Sequence, residues 1–379
     1  MRLDLPYFVW LASQMKRAAE IDLTEVSCMA GRPVNPRSAK QLAKLLYDEM
    51  DEPVKRWTKT GTPSTDKYAL RMMEAPLAAA ALQYRETVTA LSNFVLKLPK
   101  LVLDDGRVHG SFHQAGTWEE SGDDYRSSPA SGRLSSSGPN LQQISAHGRW
   151  GIAIRRGFVP QAGCVFVGGD VEQEELRIAA LLANETKLLK AFRSGQSPHE
   201  LTAKALGIGR DNGKTCNYAL IYGVAAQKLL TLVPSLGSVA AAEEARQDFF
   251  VLYPALKSWH EQVAAECSRL GYVETWFGRR RYLPEIWSRS RKRRREAERQ
   301  AVNHTVQGTG ADILKMALRR VYDGLEVGSR IVLSSHDDVI VETSHPTEVR
   351  AVLEGMTKGL LPVELPVNVK QGPNWGDML

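Results

Sequence analysis

The stretch VFVGGDVEQEELRIAALL, Val165 to Leu182, decides the fold of the chain. It opens with an apolar run that ends at two glycines and Asp170, a pattern that predicts a buried strand with a carboxylate at its end. Four acidic or amide side chains follow, and apolar residues then recur with helical spacing. We therefore expect a strand that leads directly into a helix through an unusually acidic turn.

A second acidic turn lies in RIVLSSHDDVIVET, Arg330 to Thr343, where two apolar arms flank Asp337 and Asp338. The pattern predicts a hairpin. Carboxylates at rigid strand ends suit Mg²⁺, and two such ions about 4 Å apart support phosphoryl transfer. An aspartate at a turn also favours the turn itself, so each site alone is open to a structural interpretation. Two apolar strands that both end in acids favour metal binding.

The spacing of Asp170 and Glu172 supports a different two-metal hypothesis. It is the D-x-E spacing of proofreading exonucleases. That class of enzyme requires further downstream aspartates in a Tyr-x-x-x-Asp setting, which the sequence does not provide. The exonuclease is therefore the alternative for this segment.

The segment RDNGKTCNYALIYG, Arg210 to Gly223, predicts a helix that binds a triphosphate. Cations at its start and rings at its end form one slowly drifting stripe, which suits phosphates at one end and a sugar and base at the other. The alternative is a solvated basic end followed by an aromatic face that packs into the core. Asn217 and Gly223 weaken that alternative, because both are poor helix formers. The stripe consists of Arg210, Lys214, Tyr218 and Tyr222.

Composition favours a polyanionic partner. The chain has 379 residues, a net charge of +6 and a pI near 9.0. Its four cysteines lie far apart, as in reduced intracellular proteins. No apolar run reaches the ~18 residues that cross a membrane, and no signal peptide is evident. We expect a cytosolic protein that occurs where nucleic acid occurs, without a membrane partner.

Periodicity predicts a mixed α+β chain. Residues 1–100 and 184–265 read as helical, with Ser38 and Ser64 as candidate helix caps. Strand-like pieces occur in LVLDDGRVHGSF and in GIAIRRGFVP, and GYVETWFGRRRYL predicts a hairpin. The mid-chain and C-terminal strands must pair to form one sheet.

Several motifs in register resemble those of family A DNA polymerases, the bacterial DNA polymerase I type. A single-subunit RNA polymerase shares the Arg–Lys–Tyr–Gly helix and a His–Asp pair. It lacks the GRLSSSGPNLQQIS segment and has no glutamate in the acidic motif that begins at Asp170 here. The likeness covers nearly the whole chain. The motifs are GRLSSSGPNLQQIS, GDVEQEELRIAALL, RDNGKTCNYALIYG, SHDD, ERQAVNHTVQGTGADILKMAL, ETWFGRRRYLPEI, KTGTPST and GPNWGDML.

The resemblance implies a right-hand fold with thumb, palm and fingers, in which the palm holds an antiparallel sheet. The implied boundaries are 1–105 for the mainly helical thumb, 106–183 for the first part of the palm, 184–296 for the fingers and 297–379 for the second part of the palm. It further implies primer extension from dNTPs on primer–template DNA. We expect a monomer in the cytoplasm, at the bacterial nucleoid or in a phage-infected host cell. We also expect neither a proofreading exonuclease nor a 5′ nuclease, because the thumb-like segment begins almost at residue 1.

The resemblance also assigns roles around the reacting groups. Asp170, Asp337 and the Val171 carbonyl would hold two Mg²⁺ ions, which Mn²⁺ is able to replace. Asp338 would be a supporting acid, and Lys214 would also donate a proton to pyrophosphate. Glu175 would exclude a ribose 2′-hydroxyl. The implied dNTP-binding residues are Arg210, Lys214, Tyr218, Glu175, Gln173, His199 and Tyr222, with Arg177 in support.

A further set of residues resembles the DNA contacts of the family. Polar side chains would probe minor-groove acceptors that every correct base pair presents. Others would hold the template strand, the primer end or the duplex backbone. The implied DNA-binding residues are Arg133, Asn140, Gln142, Arg299, Asn303, Gln307, His336, Gly223, Lys59 and Thr60.

Departures from the family pattern carry their own expectations. Val171-Glu172 replaces a usual Tyr-Ser, Glu174 replaces an apolar residue and Asp338 replaces a glutamate. We expect Glu172 to face solvent. Tyr218 stands where many members have Phe, which predicts efficient dideoxynucleotide incorporation.

The arginine run Arg289–Arg295 precedes the Asn303 helix. A solvated face, a partner site and an added template contact are all open, and the neighbouring helix favours DNA. A non-catalytic DNA-binding protein descended from a polymerase is a last alternative, which Asp170, Lys214 and Asp337 argue against.

Overall fold

The structure, a computed structural model, describes residues 1–114, 117–118, 125–126, 129–335 and 337–378, with backbone only at 117–118 and 125–126. Helices dominate the first hundred residues and the region between β7 and β8. The α-helices are α1 (Leu5–Met29), α2 (Ala39–Ala43), α3 (Lys67–Arg71), α4 (Pro76–Ala90), α5 (Gly151–Arg156), α6 (Glu174–Leu182), α7 (Thr186–Arg193), α8 (Pro198–Leu206), α9 (Arg210–Leu220), α10 (Ala226–Leu232), α11 (Val239–Leu252), α12 (Pro254–Leu270), α13 (Arg291–Asn303), α14 (Thr309–Gly324) and α15 (Pro346–Gly355).

The strands are short and concentrated in the middle and at the end of the chain. They are β1 (Arg2–Leu3), β2 (Ser111–His113), β3 (Thr117–Trp118), β4 (Tyr125–Arg126), β5 (Ser135–Ser137), β6 (Phe158–Val159), β7 (Val165–Val171), β8 (Tyr272–Glu274), β9 (Arg280–Tyr282), β10 (Arg330–Ser335), β11 (Asp338–Thr343) and β12 (Val367–Gly372). No helix among the described residues is long and apolar enough to span a bilayer.

The chain divides into two compact units. The first contains Met1–Gly110, Gly138–Phe166 and Gln371–Leu379, and the second contains Ser111–Ser137 and Val167–Lys370.

The first unit is built on helices α1, α2 and α4, which surround an apolar cluster that includes Val26, Leu42, Leu46 and Leu77. The predicted helix after Ser38 forms, and the Ser38 side chain accepts a hydrogen bond from the backbone N–H of Gln41. Helix α2 then continues as a π-helical turn, Lys44–Glu49, and α4 continues as another, Leu91–Val95. This unit therefore contains the helical region that the sequence predicts for residues 1–100.

The second unit contains a four-stranded sheet in the order β10-β11-β7-β12. Strands β10 and β11 are antiparallel, with Ser335 opposite Asp338 at the turn. The mid-chain strand β7 thus pairs with C-terminal strands, as the sequence predicts. Strand β11 is almost wholly buried, which explains its continuous apolar run.

Two further predicted features are present in the second unit. Strands β8 and β9 form the antiparallel hairpin, with Tyr272 opposite Tyr282. Helix α13 runs through a π-helical turn, His304–Gly308, directly into α14.

Two local predictions are wrong. The segment GIAIRRGFVP forms helix α5 before the short strand β6, because its apolar residues are too few to distinguish helix from strand. Ser64 does not cap the following helix. Asp66 caps it, since its carboxylate accepts from the N–H groups of Tyr68 and Ala69, while Ser64 accepts from the N–H of Asp66.

Candidate active site

The two acidic turns meet at one end of the sheet in the second unit. Asp170 is the penultimate residue of β7, and Asp337 and Asp338 lie at the turn from β10 to β11. The Val171 N–H faces the Asp337 carbonyl oxygen, with 3.4 Å between nitrogen and oxygen. The turns that are far apart in sequence are therefore neighbours in space.

The electrostatics of Asp170 reflect this arrangement. Although the residue is exposed at the sheet end, desolvation of its carboxylate and repulsion from Asp337 raise its pKa to about 6, while Lys370 and Lys214 act in the opposite direction. Partial burial and a neighbouring carboxylate both disfavour the charged form of Asp170, so a cation bound nearby would stabilise that form. Lys370, on β12, was not identified from the sequence, because no motif surrounds it.

The turn after β7 has a fixed and unusual geometry. Gln173 adopts a left-handed conformation, with φ of 54°, and directly precedes α6. The Arg177 guanidinium donates to the carbonyls of Glu172 and Glu364, at 3.0 Å each. Arg177 thereby supports the turn from inside, and the exposed position of Glu172 agrees with the solvent-facing prediction.

Glu174 is a buried carboxyl group in the first turn of α6, with 5% of its surface exposed. Its Oε1 has no hydrogen-bond partner among the described residues. Its Oε2 lies against α14, 2.7 Å from the place where a Cβ on Gly310 would be. Burial, followed by repulsion from Asp337, raises the pKa of Glu174 to about 8. Glu174 is therefore largely protonated at neutral pH.

The next residue, Glu175, is held by an ion pair. The Arg133 Nη2 donates to its Oε1 at 2.5 Å, and both side chains are mostly buried. Such a pair fixes the carboxylate in one position more firmly than a surface pair would. The structure therefore brings together Arg133, a predicted DNA contact, and Glu175, a predicted dNTP contact.

Arg279, on the β8–β9 hairpin, anchors the segment that carries Arg133. Its guanidinium donates to Asp312 Oδ1 at 2.7 Å, to the Ser131 carbonyl at 2.7 Å and to the Gly308 carbonyl at 2.9 Å. The segment bends at Gly132, which has a φ of 81°.

A Cβ on Gly132 would lie 2.6 Å from the Arg279 Cζ. The segment therefore needs glycine at this position, both for its positive φ and for the close approach of Arg279. Arg279 was not predicted from the sequence, because three consecutive arginines give no sign of which one turns inward.

Helix α9 packs closely on α8. A Cβ on Gly213 would lie 2.5 Å from the His199 carbonyl oxygen, so the two helices approach to backbone contact. Arg210 and Lys214 are exposed along α9, and Arg210 lies 3.7 Å from a Glu200 oxygen. Two predicted phosphate-binding cations are thus presented to solvent from one rigid pair of helices.

His199 and Tyr218 lie together beneath these cations. Their rings are 5.8 Å apart, and the His199 Nδ1 is 2.9 Å from the Asn217 side-chain nitrogen. Burial, then repulsion from Lys214, lowers the pKa of His199 to about 4, so the imidazole is neutral. Asn217 also accepts from Thr202, which shows that its place in the helix has a structural reason.

Tyr218 is influenced by the acidic turns. Burial raises its pKa to about 12, with further contributions from Glu175, Asp337 and Asp170. These carboxylates are therefore close enough to oppose ionisation of the phenol.

The prediction that Tyr222 continues the stripe of α9 as a helical residue is wrong. The helix ends at Leu220, and Tyr222 lies in the following turn with Gly223, whose φ is 65°. The Tyr222 hydroxyl is buried near Glu175 and Gln307, which both influence its pKa, and burial raises that pKa. Among the described residues, however, no group meets this hydroxyl with good hydrogen-bond geometry. A left-handed glycine ends the helix and redirects the chain.

Three predicted DNA contacts of the second unit lie along one helical segment. Arg299 and Asn303 are on α13, and Gln307 is in the π-helical turn. Arg299 is exposed and pairs with Glu296. The predicted contact His336 lies outside the described residues.

The remaining predicted DNA contacts belong to the first unit. Asn140 and Gln142 lie at the start of a short 3₁₀ turn, and the Asn140 Oδ1 is buried without a hydrogen-bond partner in the described chain. Lys59 and Thr60 are exposed in a turn, where the Thr58 and Thr60 hydroxyls are 3.0 Å apart.

The oxygen donors at the end of the sheet suit a hard cation that takes its remaining ligands from water or substrate. It offers the Asp170 and Asp337 carboxylates and the backbone carbonyl of Val171. In the described part of the chain, no group of three or more His, Cys, Asp or Glu side chains is placed to hold a metal. Mg²⁺ commonly binds to one or two carboxylates and completes its octahedron with water and phosphate oxygens. The residues present therefore fit Mg²⁺.

Comparison with known proteins gives consistent matches. Residues 9–377 match the sequence profile of DNA polymerase family A. The thermostable DNA polymerase I of Thermus filiformis is 35% identical over 389 residues, which cover 98% of this chain and 45% of the relative. DNA polymerase I of Pseudomonas aeruginosa is 35% identical over 371 residues, which cover 92% and 39%.

A solved structure has a similar fold. The POL domain of Pol1 from M. smegmatis, in complex with DNA primer-template and dNTP, matches with a TM-score of 0.88 and 30% identity. The match covers 99% of this chain and 67% of that chain. The chain spans about half the length of the curated relatives, 45% for the Thermus filiformis enzyme.

Proposed function

Because the chain belongs to DNA polymerase family A, we propose that it is a DNA-directed DNA polymerase that extends a primer from dNTPs. The predicted family and α+β fold class are confirmed by the profile and by the solved POL domain. The observation that carries the proposed activity is the meeting of Asp170 and Asp337 beside the cationic helix α9.

Family A DNA polymerases depend on divalent metal ions. We assign Asp170, Asp337 and the Val171 carbonyl to two Mg²⁺ ions, for which Mn²⁺ is able to substitute. When bound, such ions activate the primer 3′-hydroxyl and stabilise charge on the leaving pyrophosphate. Asp338, in the same turn, supports the site as a further acid.

Helix α9 would bind the triphosphate. The exposed cations Arg210 and Lys214 face solvent on its first turns, where phosphate oxygens are able to reach them. Lys214 would also donate a proton to the leaving pyrophosphate. Neutral His199 serves as a hydrogen-bonding group rather than as a cation.

The sugar and base would lie between α9 and α6. Glu175, fixed by Arg133, would occupy the space that a ribose 2′-hydroxyl needs, and an unpaired buried carboxylate would penalise the wrong sugar. Gln173 supports this turn through its left-handed backbone. Tyr222 and Gly223 would contact the template base and let the template backbone turn.

We propose that DNA binds mainly through its phosphates, with shape-sensitive contacts to the minor groove. Binding should weaken steeply with salt, since the chain carries a net charge of +6. The proposed contacts are Arg133, Asn140, Gln142, Arg299, Asn303, Gln307, His336, Lys59 and Thr60.

We keep the sequence-based boundaries as a proposal: thumb 1–105, palm 106–183 and 297–379, fingers 184–296. The family assignment weighs against a single-subunit RNA polymerase. The exposed Glu172 gives the exonuclease alternative no support. A DNA template would place the protein in a bacterial cytoplasm or an infected host cell.

Primer extension with Mg²⁺ and four dNTPs tests the proposal. Asp170→Asn and Asp337→Asn should each lower the extension rate by roughly 100-fold or more, because changes even outside a metal's direct ligands cost 10–100-fold. Glu172→Gln is the matched control, since it removes one carboxylate charge two residues from Asp170 at an exposed position. Full extension by either Asn variant would refute the assignment of the metal site.

A further inference from the structure

The surface around the start of α13 combines positive charge with exposed aromatic rings. We call residues Arg289–Arg295 the basic segment, which contains six cations and no acid. All of its residues are exposed. In the part of the chain that the structure describes, none of its side chains forms an ion pair, and Arg294 donates only to the Ser288 carbonyl, at 3.2 Å.

This charge pattern is unfavourable for the helix itself. The first turn of α13 carries no acidic residue, although a helix N-terminus is stabilised by negative charge. Like charges three and four residues apart on a helix repel each other. Because this charge pattern destabilises the start of α13, it indicates that the basic segment binds an anionic ligand.

Two aromatic rings beside the basic segment are held rigidly and remain open to solvent. We call Tyr282 and Trp287 the aromatic platform; they are 67% and 61% exposed. The Trp287 indole N–H donates to the Ser268 carbonyl at 2.7 Å. A Cβ on Gly271 would lie 2.4 Å from the Trp287 ring, so the ring rests directly on the glycine backbone.

Tyr282 is fixed in a comparable way. It pairs across the hairpin with Tyr272, and the two ring centroids are 5.5 Å apart. The hairpin is joined to α13 by a hydrogen bond from Arg281 to Gln300, at 3.0 Å. The aromatic platform and the basic segment therefore belong to one rigid surface.

Rigid exposed rings beside cations that form no ion pair suit a single-stranded nucleic acid, because its bases stack on the rings while its phosphates contact the cations. We propose that the aromatic platform and the basic segment bind the single-stranded template ahead of the primer end. The same helix carries Arg299, the proposed template contact, about 12 Å further along its axis for an eight-residue separation from Arg291. The proposal rests on the proposed polymerase function for the identity of the strand.

Equilibrium binding to labelled primer–template DNA tests this proposal without catalysis. The substrates are a blunt duplex, a duplex with a ten-nucleotide 5′ template overhang, and a duplex with an unpaired flap on the other strand. Trp287→Ala should weaken binding to the overhang substrate about 10-fold, as loss of one stacked base does, and should leave the blunt duplex unchanged.

A triple variant tests the charges. Arg291→Gln/Lys292→Gln/Arg293→Gln should flatten the plot of log affinity against log salt by about 2 on the overhang substrate, as expected for three lost single-strand phosphate contacts. The control removes three exposed cations from α7 and should leave the slope unchanged. It is Lys187→Gln/Lys190→Gln/Arg193→Gln.

Three results would overturn the proposal: no loss of overhang binding, an equal loss on the blunt duplex, or a loss confined to the flap substrate. Tyr282→Ser provides a second aromatic variant, because its ring lies at the surface and its removal leaves the Trp287 contacts in place. The binding assay is repeated with Asp170→Asn, so that overhang binding is measured in a variant that should not extend primers. If primer extension fails for the wild type but overhang binding depends on Trp287, only the proposed catalysis is refuted.

Discussion

Glu174→Gln should make the protein more stable at alkaline pH, and the gain should grow as pH rises. Glu174 is buried against Gly310, and its Oε1 has no partner among the described residues. Burial raises its pKa from 4.5 to about 8. Folding therefore retains a proton that the unfolded chain releases above pH 4.5, and stability is lost between these two values as pH increases.

The magnitude follows from the two pKa values. Each pH unit in the window corresponds to about 1.4 kcal/mol of unfolding free energy, so the whole rise in pKa corresponds to roughly 5 kcal/mol. Glutamine has nearly the same shape and does not ionise. The difference in unfolding free energy between the variant and the wild type should increase by roughly 4 kcal/mol from pH 5 to pH 9.

Urea unfolding of both proteins between pH 5 and pH 9 measures this difference. The raised pKa of Asp170 destabilises both proteins in the same direction, so it largely cancels in the comparison. Glu172→Gln is the matched control, because Glu172 is exposed and its replacement should give a nearly constant difference. A difference for Glu174→Gln that stays constant over the same range would refute the reasoning.

Three further predictions concern the nucleotide site. Gly213→Ala should destabilise the protein by about 2 kcal/mol in urea unfolding, because overlap with a backbone carbonyl 2.5 Å away outweighs the higher helix propensity of alanine; Gly355→Ala, which has open space around its Cβ, should cause no loss. Tyr218→Phe should lower dideoxynucleotide incorporation relative to dNTP incorporation in competition assays, and an unchanged preference would contradict the role of the phenol. Arg279→Gln should lower the preference for dNTP over rNTP, measured as a ratio of kcat/KM values, and Arg279→Lys should recover part of it. The neighbouring Arg280→Gln is the control, since Arg280 is exposed and contacts Glu274 and the Tyr272 ring of its own hairpin.

The sheet and its acidic ends were predictable, because each strand carries a strong local signal. The apolar runs before Asp170 and around Asp337 are long enough to specify buried strands, and both form. The segment Gly151–Arg156 was not predictable, because its short apolar run fits both a helix and a strand. Its helix is fixed by distant contacts, such as the bonds from Arg155 to the Ile144 carbonyl.

The site was predictable where a residue's role follows from its own segment. Arg210 and Lys214 share one face of α9, and helical spacing alone places them together. Pairing between distant segments was not predictable from spacing. The Arg133–Glu175 ion pair and the position of Lys370 near Asp170 depend on how the sheet and helices pack, and a single sequence carries no signal for either contact.

The π-helical turn His304–Gly308 has a consequence for chain length. A π-helical turn contains one residue more than an α-helical turn, so deletion of one residue there would let α13 and α14 join as one regular helix. Every side chain of α14 would then rotate by about 100° around the axis relative to α13. Asp312 would turn away from Arg279, while Arg281 and Gln300 would stay in place. A single-codon deletion in this turn would therefore cost the protein the Arg279–Asp312 ion pair, although neither of these two residues is itself changed.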